Sequence, residues 1–278
     1  MTKREYPQND RVMLKLLIYL FVFIFGCCWG SFLNCLIYRL EKGEGFVKKR
    51  SACPKCKRKL IWKDLLPIVS FCWLGGKCRY CKKKISWQYP AVEIATGLVF
   101  LLIFNFKFLI FNQFLIFNFK TLAELFYCWL VACFLIIIFV YDLRHYIIPD
   151  WAVYPAIGLV FVYQLFANYN SFFNFLLAGI GVAGFFFAIW LVSKGRAMGF
   201  GDVKLAFLMG LLLGFPKILL AVFVACFSGS LLGLALIVLG KKKLKSALPF
   251  APFLVAGTFA VLFWGEQVIK WYLSYMSF

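Results

Sequence analysis

Long apolar runs alternate with short polar gaps along almost the whole chain. Eight runs read as bilayer-crossing helices: Leu14–Tyr38, Pro90–Phe106, Leu122–Tyr141, Ile148–Ala167, Phe172–Val192, Val203–Phe215, Lys217–Leu239 and Pro249–Leu273. A spanning helix needs ~20 apolar residues. The sixth run is the shortest and stops at Gly214-Phe215-Pro216. The runs are continuous and lack the alternation over ~10-residue segments that marks a membrane β-strand. The expected fold is an all-α polytopic membrane protein with about eight transmembrane helices. The stretch Phe104–Phe119 is biased toward Phe, Asn and Leu and reads as an interfacial hairpin or a helix extension. The first run has no small-residue cleavage site, so it is expected to be retained.

Composition sharpens this picture. Hydrophobic residues make up 64% of the 278, and 35 are phenylalanine. No soluble interior of this size hides so much apolar surface. A soluble enzyme, a disordered chain and a disulfide-stapled secreted module are excluded. The net charge of +20 reports topology, because basic residues collect on the cytoplasmic side of membrane proteins. The segment Arg39–Tyr89 holds 15 Lys and Arg but only Glu41, Glu44 and Asp64 as acids. If it is cytoplasmic, eight crossings bring Arg144, then Lys194, Arg196 and Lys204, then Lys241, Lys242, Lys243 and Lys245 to the same face. About three quarters of the basic residues then lie inside and both termini outside. Nucleic acid is not an expected partner, since groove-reading motifs are absent. The chain thus divides into a first transmembrane helix (1–38), a cytoplasmic loop domain (39–89) and a helical bundle (90–278).

The loop carries Cys53-Pro-Lys-Cys56 and, 21 residues on, Cys78-Arg-Tyr-Cys81. Two CxxC knuckles at this separation have the spacing of a tetrahedral zinc site. Nearby Lys and Arg favour thiolates. A loop of this size builds little core, so a metal supplies the missing folding energy. Disulfides are the alternative, but a cytosolic loop is kept reduced. Four thiolates close the shell, so Cys53, Cys56, Cys78 and Cys81 are expected to hold structural zinc. The other seven cysteines read as small buried hydrophobes.

Acids near spanning segments are functional candidates by default. Glu124 and Glu266 fall toward the outer face and read as interfacial or partner-bonded. Glu93 sits one turn inside the second helix, where the helix N-terminus stabilises it. Asp150 follows Pro149 and fits a first-turn acid. Asp142 closes the third helix, and Asp202 stands in Gly199-Phe200-Gly201-Asp202 before the sixth. Glycines there let substrate or a neighbouring helix approach the backbone beside the carboxylate. Two carboxyls at one membrane depth, brought close, share a proton. One takes a proton from water while the other polarises a peptide carbonyl, which is aspartic amide hydrolysis. Taken alone, the two acids equally suit a cation pathway in a transporter or channel with a zinc-bearing regulatory loop. His145 is the only histidine, which excludes an H-E-x-x-H zinc protease.

The motifs combine into a resemblance. Gly30-Ser31-Phe32-Leu33-Asn34, Ser51-Ala52-Cys53-Pro54-Lys55-Cys56, Leu66-Pro67-Ile68-Val69-Ser70, Gly75-Gly76-Lys77-Cys78 and Tyr89-Pro90-Ala91-Val92-Glu93 occur in order. Asp142 with Ile148-Pro149-Asp150, Met198 through Leu205, and Pro249-Phe250-Ala251-Pro252-Phe253 follow. The chain resembles the type IV prepilin peptidases, and its GxGD pattern is similar to that of presenilin-type proteases. The resemblance implies an inner-membrane enzyme of bacteria with Asp142 and Asp202 as its catalytic pair. It implies cleavage of the basic leader of type IV prepilins or pseudopilins after glycine, on the cytoplasmic side. Methylation of the new N-terminus from S-adenosylmethionine is implied to follow, with Gly76 at a methylation-linked position. Ala251 departs from the family's usual glycine, a mild change from which no loss of activity is expected. The resemblance leaves the oligomeric state open.

Overall fold

The computed structural model describes residues 8–41, 51–106, 119–241, 243 and 248–276. Residues 107–118 of the Phe-Asn-Leu stretch, and Lys242 and Lys245 of the lysine cluster, lie outside the described residues. The described helices are α1 (Gln8–Glu41), α2 (Val69–Trp73), α3 (Gln88–Phe104), α4 (Phe119–His145), α5 (Asp150–Ala167), α6 (Phe172–Ser193), α7 (Phe200–Leu213), α8 (Lys217–Val238) and α9 (Ala251–Met276). Every expected apolar run is helical.

Six stretches are long and apolar enough to cross a membrane: Val12–Glu41, Lys120–His145, Asp150–Ala167, Tyr169–Ser193, Lys217–Val238 and Ala251–Met276. The other two runs form shorter helices. α3 has 17 residues and α7 has 14. At 1.5 Å per residue α7 is about 21 Å long, short of the ~30 Å hydrocarbon core. Gly214, at φ +67°, ends it early. Phe21, Phe173, Val192, Phe223, Val238 and Trp271 are more than half exposed. Apolar exposure on this scale belongs against lipid.

The chain forms two compact units, 1–133 and 134–278, divided inside α4. In the first, α1 packs on α3 through small residues. A Cβ on Gly26 would lie 2.8 Å from the Cα of Gly97, and one on Gly30 2.7 Å from the Cα of Glu93. Glycines four apart on one helix let two backbones meet, as helix pairs in lipid require. Phe100 and Trp129 stack at 4.8 Å, and the Trp129 indole donates to the Phe100 carbonyl.

In the second unit α7 is the central element. Leu205, Ala206, Leu208, Met209 and Leu211 are fully buried, with α5, α6, α8 and α9 packed around it. A helix that is apolar all round belongs in a core. Buried Gln164 of α5 donates to the Leu211 carbonyl at 3.1 Å and accepts from Asn168 at 2.6 Å, so it is satisfied on both sides. On α6, Gly179 meets Gly210 of α7 so closely that a Cβ on Gly210 would stand 2.4 Å from the Gly179 Cα.

That contact is backbone on backbone and has no flexible atom to yield. Gly210→Val should force α6 from α7 and cost about 1–3 kcal/mol, the usual penalty of overpacking. Thermal unfolding in detergent is expected to shift down for Gly210→Val and to stay near wild type for Gly184→Ala, where the added Cβ meets open space.

Candidate active site and metal centre

Asp142 lies in the last turn of α4. The helix ends at His145 because Tyr146 turns left-handed, at φ +56°, while its N–H still donates to the Asp142 carbonyl. The chain runs through Ile147 and Ile148 to Pro149, whose extended backbone starts α5. Asp202 is the third residue of α7. Its Oδ2 accepts the Gly199 N–H at 3.2 Å, an acid near the helix start reaching back to the capping residue.

Both side chains are buried, Asp142 at 4% and Asp202 at 8% exposure. They are close enough to act on each other electrostatically. Asp142 also accepts the backbone N–H of Ala251, the first residue of α9. Three distant segments thus converge: the end of α4, the start of α7 and the start of α9. The other Asp142 oxygen, Oδ2, is buried with no hydrogen-bond partner among the described residues. A buried acceptor left open is where a proton, a water or a substrate group is taken up.

Gly201 permits this approach. A Cβ there would stand 2.9 Å from the Ile148 Cβ, so the linker between α4 and α5 lies directly on the start of α7. Asp150 opens α5 as expected, and its carboxylate also meets the Lys204 ammonium at 2.6 Å. Glu266 pairs with Lys217 at 2.7 Å, the partner-bonded reading of that acid.

The cysteine loop forms two matching knuckles. Ala52 bridges Lys59, and Lys77 bridges Lys84. In each, the first cysteine's N–H and carbonyl close the turn: Cys53 with Arg58 and Lys57, Cys78 with Lys83 and Lys82. Lys57 and Lys82 take the same left-handed conformation, at φ 59° and 57°. The four sulfurs lie within 4.8 Å of one another, with Cys53 and Cys81 at 4.0 Å. A tetrahedral ion bound at ~2.3 Å sets its sulfurs about 3.8 Å apart, so the cluster fits a metal. All four cysteines are free thiols. The N–H groups of Cys81 and Tyr80 and the neighbouring thiols hold Cys78 down to about 7 against desolvation. The Arg58 N–H lowers Cys56, but desolvation and the crowding Cys53 and Cys81 sulfurs outweigh it and push Cys56 up to about 11. A central cation removes that conflict by ligating every thiolate.

Residues 24–106 match the family model described as the bacterial peptidase A24 N-terminal domain, and residues 129–234 that of the type IV leader peptidase family. A prepilin leader peptidase/N-methyltransferase of Bacillus subtilis (strain 168) is 31% identical, over 91% of this chain and 97% of its own. The chain belongs to the type IV leader peptidase family. Proteins of the same description from Aeromonas salmonicida (strain A449) and Pseudomonas aeruginosa are 27% and 28% identical, covering 94% and 92% of this chain and 96% and 93% of theirs. No solved structure matches the chain.

Three features of this family member were not read from its sequence. Glu93 is buried and accepts the Ile68 N–H at 2.7 Å, so it ties the cysteine loop to α3; it lies beyond the first turn of α3 and is held by this bond rather than by the helix N-terminus. Asn34 of α1 donates to the Tyr89 carbonyl at 3.0 Å and so joins α1 to the first turn of α3. The segment around Ala251 bonds to Asp142 through its backbone, a contact that an alanine in place of the family's usual glycine leaves intact. Only the spacing of polar residues against apolar runs hinted at the first two.

A thiophilic divalent ion should bind the full-length protein at about one per chain, the stoichiometry of a closed four-thiolate site. Elemental analysis and tryptic digestion check this. Cys78→Ser is expected to lose the ion and to speed cleavage of the loop between Ser51 and Trp87.

Proposed function

We propose that the chain is a membrane-embedded aspartic endopeptidase that removes the basic leader of type IV prepilins or pseudopilins after glycine and then N-methylates the new N-terminus. The observation that carries this reading is the convergence of Asp142 and Asp202, buried and within electrostatic reach, at the ends of two helices. Their placement supports hydrolysis over ion transport, whose acids lie near the bilayer midplane.

Two carboxyls this close act as one acid and one base. The ionised member takes a proton from water, and the water oxygen attacks the glycine carbonyl carbon. The protonated member donates a hydrogen bond to the carbonyl oxygen as it gains charge. When the C–N bond breaks, the proton passes to the departing amine. The open Asp142 Oδ2 is the seat of the attacking water or the shared proton, and the Ala251 and Gly199 N–H groups hold the two carboxyls in place.

The four cysteines hold zinc, and its role is structural, because four thiolates leave no open position. S-adenosylmethionine supplies an electrophilic methyl group when bound. Gly76 is at φ +67°, and a Cβ there would come 3.2 Å from the Phe71 ring, which itself lies 5.0 Å from Trp87. The Phe71 ring thus rests on the bare backbone of Gly76, the residue that the family resemblance links to methyl transfer. The loop domain (39–89) thus serves methyl transfer and the bundle (90–278) peptide cleavage. The charge bias supports a cytoplasmic face for both, in a bacterial inner membrane, where a prepilin leader also lies.

Asp142→Asn and Asp202→Asn should each lower leader cleavage by about 10⁴-fold or more, the scale of removing one member of a catalytic unit. Both proteins should still insert and keep their metal. Mass spectrometry of a co-expressed prepilin reads the cleaved bond. Cleavage at the wild-type rate by either variant overturns the assignment.

A further inference from the structure

Asp142 and Asp202 have no hydrogen bond to each other among the described residues. Each is held by a backbone N–H of its own surroundings, from Ala251 and Gly199. Their separation is therefore set by whatever fixes the end of α4 against the start of α7. A dyad that shares one proton tolerates little play.

One contact bears on it through the linker between α4 and α5. Lys204 lies two residues beyond Asp202, on α7, and Asp150 opens α5. They are 54 residues apart in the chain, yet their side chains meet at 2.6 Å. The Lys204 ammonium also lies over the rings of Tyr154, at 5.0 Å, and Phe200, at 5.3 Å. Its side chain is only 16% exposed although the Asp150 carboxylate is 60% exposed. A lysine held by one carboxylate and two ring faces is fixed in direction, which an isolated surface ion pair is not.

Between Asp142 and Asp150 the chain has almost no slack. The Tyr146 N–H still donates to the Asp142 carbonyl, and Tyr146 is in the left-handed conformation. Ile148 is buried and rests on Gly201, with no room for even a methyl group between them. Pro149 then fixes the backbone into α5. Pulling Asp150 down onto Lys204 therefore presses Ile148 onto Gly201 and draws the end of α4 toward the start of α7.

We propose that Asp150 and Lys204 are positioning residues for leader cleavage: their ion pair clips the 146–149 linker onto α7 and thereby sets the spacing of Asp142 and Asp202. Neither touches the scissile bond. The proposal rests on the peptidase reading above.

The test is steady-state cleavage of a purified prepilin by the full-length, metal-loaded enzyme in nanodiscs. Wild-type cleavage, lost in Asp142→Asn, establishes the peptidase reading separately. Asp150→Asn and Lys204→Met should then lower kcat by about 10- to 100-fold, the cost of a small misplacement of reacting groups. KM is expected to stay within about twofold, because uniform binding is untouched. Lys204→Arg keeps both the charge and the stacking on rings, so it should retain most of the wild-type kcat. Unchanged kcat in Asp150→Asn and Lys204→Met overturns the proposal. So does a loss that follows the fraction of folded protein, or one that Lys204→Arg shares in full.

Discussion

A carboxylate surrounded by apolar side chains and lipid is costly unless something donates to it or shares its charge. That constraint organises the second unit. Asp142 sits at the C-terminal end of α4 and Asp202 at the start of α7, and helix starts nearby present backbone N–H groups free to donate. Each takes one such N–H, from the start of α9 and from the start of α7. The central helix is short for the same reason: its first residues must end at the depth of the site, and its remaining length is buried among four neighbours. Gly210 then lets the α7 backbone meet that of α6 at Gly179, and Gly201 lets the Ile148 side chain rest on the start of α7, where a side chain would hold the elements apart.

The first unit meets a different difficulty. A basic loop of some fifty residues between α1 and α3 has too little apolar material to fold on packing alone. Two equivalent knuckles set four sulfurs around one point, Glu93 fastens the loop to α3 through the Ile68 N–H, and Asn34 joins α1 to the start of α3. A metal bound by these sulfurs would order the loop, and the Glu93 tie orients it.

Much of this was legible in the residues. Apolar runs located every described helix but the short α2, because an uninterrupted run in lipid has no other way to satisfy its backbone. The CxxC spacing located the four-cysteine cluster, since each knuckle is a local turn. Asp142 and Asp202 stood out as acids beside apolar helices. What the residues did not disclose was non-local. Nothing in Pro249-Phe250-Ala251-Pro252 announces a backbone donor to Asp142, and the Asp150–Lys204 pair joins positions far apart in the chain. Glu93 was read as a helix-end acid, because its partner is a main-chain N–H and leaves no mark in the sequence. The shortness of α7 was legible, because its apolar run stops at Gly214, although the helix starts at Phe200 and not at Val203.

The central claim is that Asp142 and Asp202 work as a single chemical unit. A double-mutant cycle on leader cleavage tests it most directly, comparing Asp142→Asn, Asp202→Asn and the double variant in one membrane preparation. Members of one unit are grossly non-additive. The account predicts that the double variant cleaves no more slowly than either single one. A double-variant loss equal to the product of the two single losses would mean that the acids act independently, and would contradict it.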